Sequence, residues 1–170
     1  IGKWWEQFAD IEKPLYTHDN IQISVPPYLP NSDIVIRDMK RMYSNIIEMD
    51  NKVGLILKQL EEDNLLESTI VVFYTDHGGP LPREKRLLYD SGIKVPMIIR
   101  YPNQLRAGEI DDRLISFVDF APTLLSMVNI SIPEYHQGQV FEGKYKSNNN
   151  RKYIHAAADR FDEHYDMIRA

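Results

Sequence analysis

The 170-residue chain contains no cysteine. That excludes disulfides, thiolate metal sites and a cysteine nucleophile within this stretch. No apolar run is long enough to span a bilayer, and the first residues lack the pattern of a secretory leader. There is no basic excess either. Twenty Lys and Arg stand against 25 Asp and Glu, a net charge of −5. This argues against a broad nucleic-acid surface and leaves room for a local basic pocket. Repeats and linker-like stretches are also missing. What is present, 43% hydrophobic and 26% charged residues, is the composition of a globular domain with its own core. The chain opens at Ile1 without a methionine and stops in "YDMIRA", which reads as a strand cut short. The expectation is a piece of a longer protein.

Residues 1–32 show little periodicity. The prolines of "ISVPPYLPNSD" forbid a helix and favour an extended arm or loop, in which Trp4 and Trp5 either anchor the arm or stack on a sugar. From Ile34 to Glu62 apolar residues recur at helical spacing: Ile36, Met39, Met42 or Tyr43, Ile46, Met49 or Asp50, Val53, Ile56 or Leu57, and Leu60. Asp33 is the expected N-cap and Asn64 the expected stop. "STIVVFYT" and "VPMIIRY" are short apolar strands of the kind buried on both faces of a parallel sheet. Thr69–Thr75 and Val95–Tyr101 are therefore expected to be neighbours. Asp119 can cap a helix that tolerates Pro122 in its first turn. "KYIHAAAD" and "YDMIRA" are candidate strands, with His155 packed among its strand neighbours. The order of helices and strands indicates α/β. The expected division is an arm (1–32), a helix-strand-loop-strand-helix core (33–130), and late loops and strands (131–170).

The chemistry concentrates where the first strand breaks into Asp76-His77-Gly78-Gly79. In open α/β sheets, sites form at such strand ends. A carboxylate and an imidazole on adjacent residues can both reach one divalent cation if the backbone turns sharply, and two glycines permit that. The alternative is a glycine-rich turn in which Asp76 caps a backbone N–H. Lys85, inside the following loop, would hold an oxyanion such as sulfate or phosphate, or stand solvated. Asp159, Arg160, Asp162, Glu163 and His164 form a dense polar cluster. It is either a solvated loop or a sugar-recognition element in which Arg160 pairs an anionic group and the acids bond hydroxyls. His18 could contact substrate from its loop, and His136 lies in a connecting loop.

"ESTIVVFYTDHGG" followed by "KRLLYDSGIKVPMIIRYP", with "VDFAPTLLSMVNISIP" downstream, resembles the sulfatase family of the alkaline-phosphatase-like superfamily. "PPYLPNS", "GGPLPREKRLLYDSG" and "RFDEHYDMIR" look most like its heparan N-sulfatase-like branch and bacterial relatives. The resemblance implies a partial α/β sandwich: a central, mostly parallel sheet flanked by helices. It implies metal-dependent hydrolysis of sulfate esters or sulfamates on a sulfated sugar. Asp76 and His77 match the family's second metal-ligand pair, and Lys85 its sulfate-contacting basic position. Arg160, Asp162, Glu163 and His18 become substrate-binding candidates. The metal is calcium by resemblance, although the nitrogen of His77 suits manganese or zinc better. The formylglycine motif "C/S-x-P-S/A-R" and the upstream Asp-Asp pair are not in this stretch. The rest of the catalytic domain is thus an expected partner, and the stretch alone is expected to be inactive. A periplasmic or secreted location, or a lysosomal one, goes with the resemblance. The alternatives are a phosphonate monoester or phosphodiester hydrolase of the same superfamily, and a non-catalytic relative that binds sulfated glycans.

Overall fold

A computed structural model describes residues 20–158 and 168–169. The chain divides into two compact units: Ile1–Val71 with Ile99–Leu105, and Val72–Ile98 with Arg106–Ala170.

The first unit is dominated by helix α1 (Asp33–Glu62). Its N-cap is Ser32, whose extended backbone and Oγ, accepting from Val35 N–H at 3.5 Å, meet the geometry a cap needs. Asp33, expected to be the cap, is instead the first helical residue. There its charge faces the positive end of the helix dipole. The other end stops where the sequence indicates. Asn64 adopts the left-handed conformation (φ 56°). Its N–H bonds the Glu61 carbonyl, and Leu65 N–H reaches back to the Leu60 carbonyl at 2.8 Å. Together these are the paired bonds of a Schellman motif, which satisfy carbonyls the helix cannot.

The inward face of α1 is also legible. Met39 is buried, and Ile36, Met42, Val53, Leu57 and Leu60 are partly covered, while Tyr43 and Ile56 are exposed. Ile46, expected to face inward, is 45% exposed and lies in a stretch, 45–52, that is exposed throughout. Ser44 is buried mid-helix because its hydroxyl donates to the Lys40 carbonyl at 2.8 Å. Beyond α1, the 3₁₀ turns Leu66–Ser68 and Pro102–Gln104 pack on each other. Arg100 straps the first of them, donating to the Leu66 carbonyl at 2.6 Å and to Glu67 at 2.7 Å.

Strands β1 (Val71–Tyr74) and β2 (Met97–Arg100) are hydrogen-bonded neighbours in one sheet. Both are shorter than the apolar runs that announce them. Neither is covered on both faces: Ile98 is 63% and Tyr74 49% exposed. The continuous apolar run therefore marks strand position correctly but overstates burial within this stretch.

In the second unit, α2 (Asp90–Ile93) is a single turn, and α3 (Phe120–Met127) follows a 3₁₀ turn at Phe117–Asp119. Asp119 stands at the N-cap position of α3, as expected, but its side chain makes no cap bond to that helix. Ser116 caps the preceding turn, and Asp119 closes the capping box by accepting from Ser116 N–H at 2.8 Å. Pro122 sits in the first turn of α3, as expected. This helix too ends on a left-handed asparagine, Asn129 (φ 60°), with Ile130 N–H on the Leu125 carbonyl.

Polar side chains on one face of this turn and helix then receive the segment that returns over them. Gln139 N–H donates to Asp119 Oδ1 (2.7 Å), Phe141 N–H to Thr123 Oγ1 (3.2 Å) and Tyr145 N–H to Ser126 Oγ (2.8 Å). The three acceptors are buried, so these bonds replace a strand partner for the arm. Arg151 completes the group with a 2.5 Å ion pair to Asp119. Phe120 anchors the apolar side, with ring centroids 4.9 Å from Tyr74, 5.4 Å from Phe117 and 6.4 Å from Phe141.

The short strands β3 (Ala157–Ala158) and β4 (Ile168–Arg169) pair antiparallel, Ala157 with Arg169 and Ala158 with Ile168. Only part of "KYIHAAAD" is strand. His155 precedes β3 and is exposed, which corrects the expectation that it packs.

Gly54 tests the account of α1. It is exposed inside the helix, and a Cβ there would meet nothing within 4 Å. Gly54→Ala should stabilise the protein by about 0.5–1 kcal/mol through lost unfolded-state freedom. Urea unfolding checks this, and a destabilised variant would contradict the helix as described.

Candidate active site

Strand β1 delivers the chain to Asp76 and His77 through Thr75. The two side chains turn toward one another, with His77 Nε2 3.5 Å from Asp76 Oδ2. His77 Nδ1 lies 2.7 Å from the Gly78 carbonyl oxygen. A carbonyl only accepts, so Nδ1 carries the proton. In the neutral ring Nε2 then presents a lone pair beside a carboxylate oxygen that also carries lone pairs. A cation placed between the two atoms would meet one oxygen and one nitrogen lone pair. A backbone carbonyl that fixes the tautomer of a histidine ligand is the usual outer support of a metal site. Asp76 is 82% exposed, so its carboxylate has room for a ligand. Among the described residues, no group of three or more His, Asp or Glu is arranged to hold a metal ion. The residues present therefore fit two positions of a cation's shell, one oxygen and one nitrogen.

The loop that follows is closed at its neck. Gly78 N–H donates to the Gly92 carbonyl at 3.0 Å. A Cβ at Gly78 would lie 1.8 Å from the Ser91 carbonyl oxygen, and one at Gly92 would lie 2.2 Å from that of Leu87. Only glycine allows the two backbones to meet. Above the neck the chain makes two consecutive turns. Glu84 N–H bonds the Leu81 carbonyl (3.2 Å), and Leu87 N–H bonds the Glu84 carbonyl (3.1 Å). Pro82 leads the first turn and Lys85 the second. Arg83 and Arg86 take the third position of each with φ 69° and 74°, the pattern of type II turns.

Lys85 is exposed, and its N–H bonds the Gly79 carbonyl at 3.1 Å. This brings its backbone back beside the residues that follow His77. Arg83 is committed elsewhere. Its guanidinium lies over the Tyr89 ring (5.9 Å), and its carbonyl accepts from Ser91 Oγ (2.6 Å).

Of the other candidates, His136 is half-buried and its ring lies 4.7 Å from that of Tyr135. His18, Arg160, Asp162 and Glu163 lie outside the described residues, as do Trp4, Trp5, Asp159 and His164. Sequence reading missed Glu84. Its side chain accepts from Leu81 N–H at 3.1 Å. The available signal was the Leu-Pro-x-Glu spacing of a turn closed by its own last residue.

A second cluster of charge lies in the same unit around an open cleft of about 420 Å³ lined by Arg106, Asp111, Arg113, Lys146 and Asn148 among others. Its cations are already paired. Arg106 binds Glu109 (2.6 Å) and Glu142, and Arg113 grips Asp111 through several bonds. The hydrogen bonds from Arg113 hold the Asp111 carboxyl down at about 2. Burial pushes Glu142 up, but the Gly143 N–H, Arg106 and Lys146 outweigh it and its net shift is downward.

The family model for Sulfatase matches residues 3–130, and the chain belongs to that family. It is 60% identical over 164 residues to an ulvan-active sulfatase of Formosa agariphila, covering 96% of this chain and 27% of the relative. To the N-sulphoglucosamine sulphohydrolase of Homo sapiens it is 31% identical over 119 residues, 69% of this chain and 24% of that one. A solved structure of a protein in complex with its substrate D-glucosamine-2-N,6-O-disulfate superposes with a TM-score of 0.68 at 26% identity. It covers 84% of this chain and 31% of its own. The fold is thus part of the α/β alkaline-phosphatase-like domain of the sulfatases. The chain spans about a quarter of the length of these curated relatives.

Two outcomes are expected. Gly78→Ala should open the neck and cost about 3 kcal/mol by steric overpacking, read by urea unfolding with limited proteolysis across 79–91. A variant as stable and as resistant as the parent would contradict the close approach. For Asp111, the folded value of about 2 lies below the ordinary 3.8. Its stabilisation is therefore complete above about pH 4 and lost as pH falls toward 2. Thermal unfolding of the protein and of Asp111→Asn should converge across that window and differ above it. A constant difference at all pH values would contradict the pairing.

Proposed function

We propose that this stretch is the middle-to-late part of a sulfatase catalytic domain, and that the intact protein hydrolyses sulfate esters or sulfamates on a sulfated glycan. The observation that carries the reading is the Asp76–His77 donor pair, 3.5 Å apart, within a family match over 3–130. The relatives support the substrate class: one is named for ulvan, one for N-sulphoglucosamine, and the solved neighbour binds a disulfated glucosamine.

In this reading Asp76 Oδ2 and His77 Nε2 hold one divalent cation, with the Gly78 carbonyl keeping Nδ1 protonated so that Nε2 remains a donor. The cation, when bound, supplies Lewis-acid polarisation of sulfate oxygens. The family's formylglycine, made from an upstream Cys or Ser, supplies the nucleophile. The oxygen of Asp76 favours calcium and the nitrogen of His77 manganese or zinc. Lys85 donates N–H bonds to a sulfate oxygen as charge builds on it. Arg160, Asp162, Glu163 and His18 contact the sugar. The setting is periplasmic or secreted, with a lysosomal one as the alternative.

In the intact protein, Asp76→Asn and His77→Ala should each remove most of the bound metal, measured by elemental mass spectrometry, and leave the fold. Lys85→Ala should lower turnover of a sulfated sugar by about 10²–10³, and Arg83→Ala far less. Full metal content in both ligand variants rejects the metal assignment. A phosphonate monoester turned over in preference to the sulfated sugar rejects the substrate class.

A further inference from the structure

We infer that Glu84 is a positioning residue for Lys85: its carboxylate locks the double turn that presents the lysine to the oxyanion. The inference rests on the oxyanion role proposed for Lys85.

Glu84 is the residue the two turns share. Its N–H closes the first, and its carbonyl closes the second, in which Lys85 is the leading corner. Its side chain adds a third tie, Oε2 accepting from Leu81 N–H at 3.1 Å. Without that bond, the Leu81 N–H would have no partner in the turn. The tie has strain to oppose. Arg83 and Arg86 hold left-handed backbone (φ 69° and 74°), which disfavours an L-residue by about 1–2 kcal/mol each. A turn under that strain relaxes unless something fixes it, and relaxation would rotate the intervening Lys85.

The carboxylate also lies directly over Gly79, where a Cβ would come within 2.2 Å of Oε2. Gly79 is the residue whose carbonyl receives Lys85 N–H. One side chain therefore ties the turn and lies beside the residue on which Lys85 rests. Nothing in this requires Glu84 to touch substrate.

Steady-state kinetics of the intact protein on a sulfated sugar tests the idea. Glu84→Ala should lower kcat about 10- to 100-fold, as expected when a catalytic group is displaced by about an ångström, with KM changed much less. Glu84→Gln keeps an oxygen acceptor for Leu81 N–H and should stay within about threefold of the parent. Gly79→Ala pushes the carboxylate aside by contact and should reproduce the Glu84→Ala defect. In the double variant the two should not multiply. A normal kcat for Glu84→Ala alongside an impaired Lys85→Ala overturns the inference alone, and so do defects that multiply. Should Lys85→Ala itself leave kcat intact, the oxyanion reading and this inference fall together.

Discussion

The shape of the loop after β1, and with it the site proposed above, depends on one backbone hydrogen bond, from Gly78 N–H to the Gly92 carbonyl. It joins the two ends of a loop whose first residue follows His77 and whose crown carries Lys85. Without it, the lysine would sit on a tether several residues long, and the entropy of so many arrangements would dilute its effect at the strand end. The bond survives because both partners lack a Cβ. Every other feature of the loop works within that frame: the two turns, the left-handed arginines, and the Arg83–Tyr89 and Ser91–Arg83 contacts that fix its flanks.

Elsewhere in the same unit, polar side chains solve a related problem. The returning arm has no strand beside it at Asp119, Thr123 and Ser126, and these three accept its N–H groups instead. Burying a polar group is unfavourable only when it is unpaired, and among the described residues no buried side-chain polar atom lacks a partner. Gly143, at φ 89° with Met127 N 2.5 Å from where its Cβ would be, lets the arm lie close enough to make those bonds.

Much of this is legible in the residues. The period of α1, its asparagine stop and the two apolar strands follow from patterns that act within a few residues. So does the Asp-His-Gly-Gly break. What was not legible depends on distant chain. Asp119 reads as a cap, but its second oxygen is taken by Gln139 and Arg151, 20 and 32 residues on. Glu84 is a different case: its turn is local and the Leu-Pro-x-Glu spacing hints at it, but no propensity announces the left-handed arginine before it. The apolar runs of β1 and β2 indicate burial on both faces, yet Tyr74 and Ile98 stand exposed within this stretch.

The central claim is that Asp76, His77 and Lys85 converge on one sulfate group. A crystal structure of the intact protein with a bound sulfated monosaccharide, at a resolution that separates donor atoms, tests it most directly. The expected result is that Asp76 and His77 would hold a cation beside the sulfate, with Lys85 Nζ within about 3 Å of a sulfate oxygen. A sulfate held elsewhere, with Lys85 directed into solvent and no cation at the Asp76–His77 pair, would contradict it.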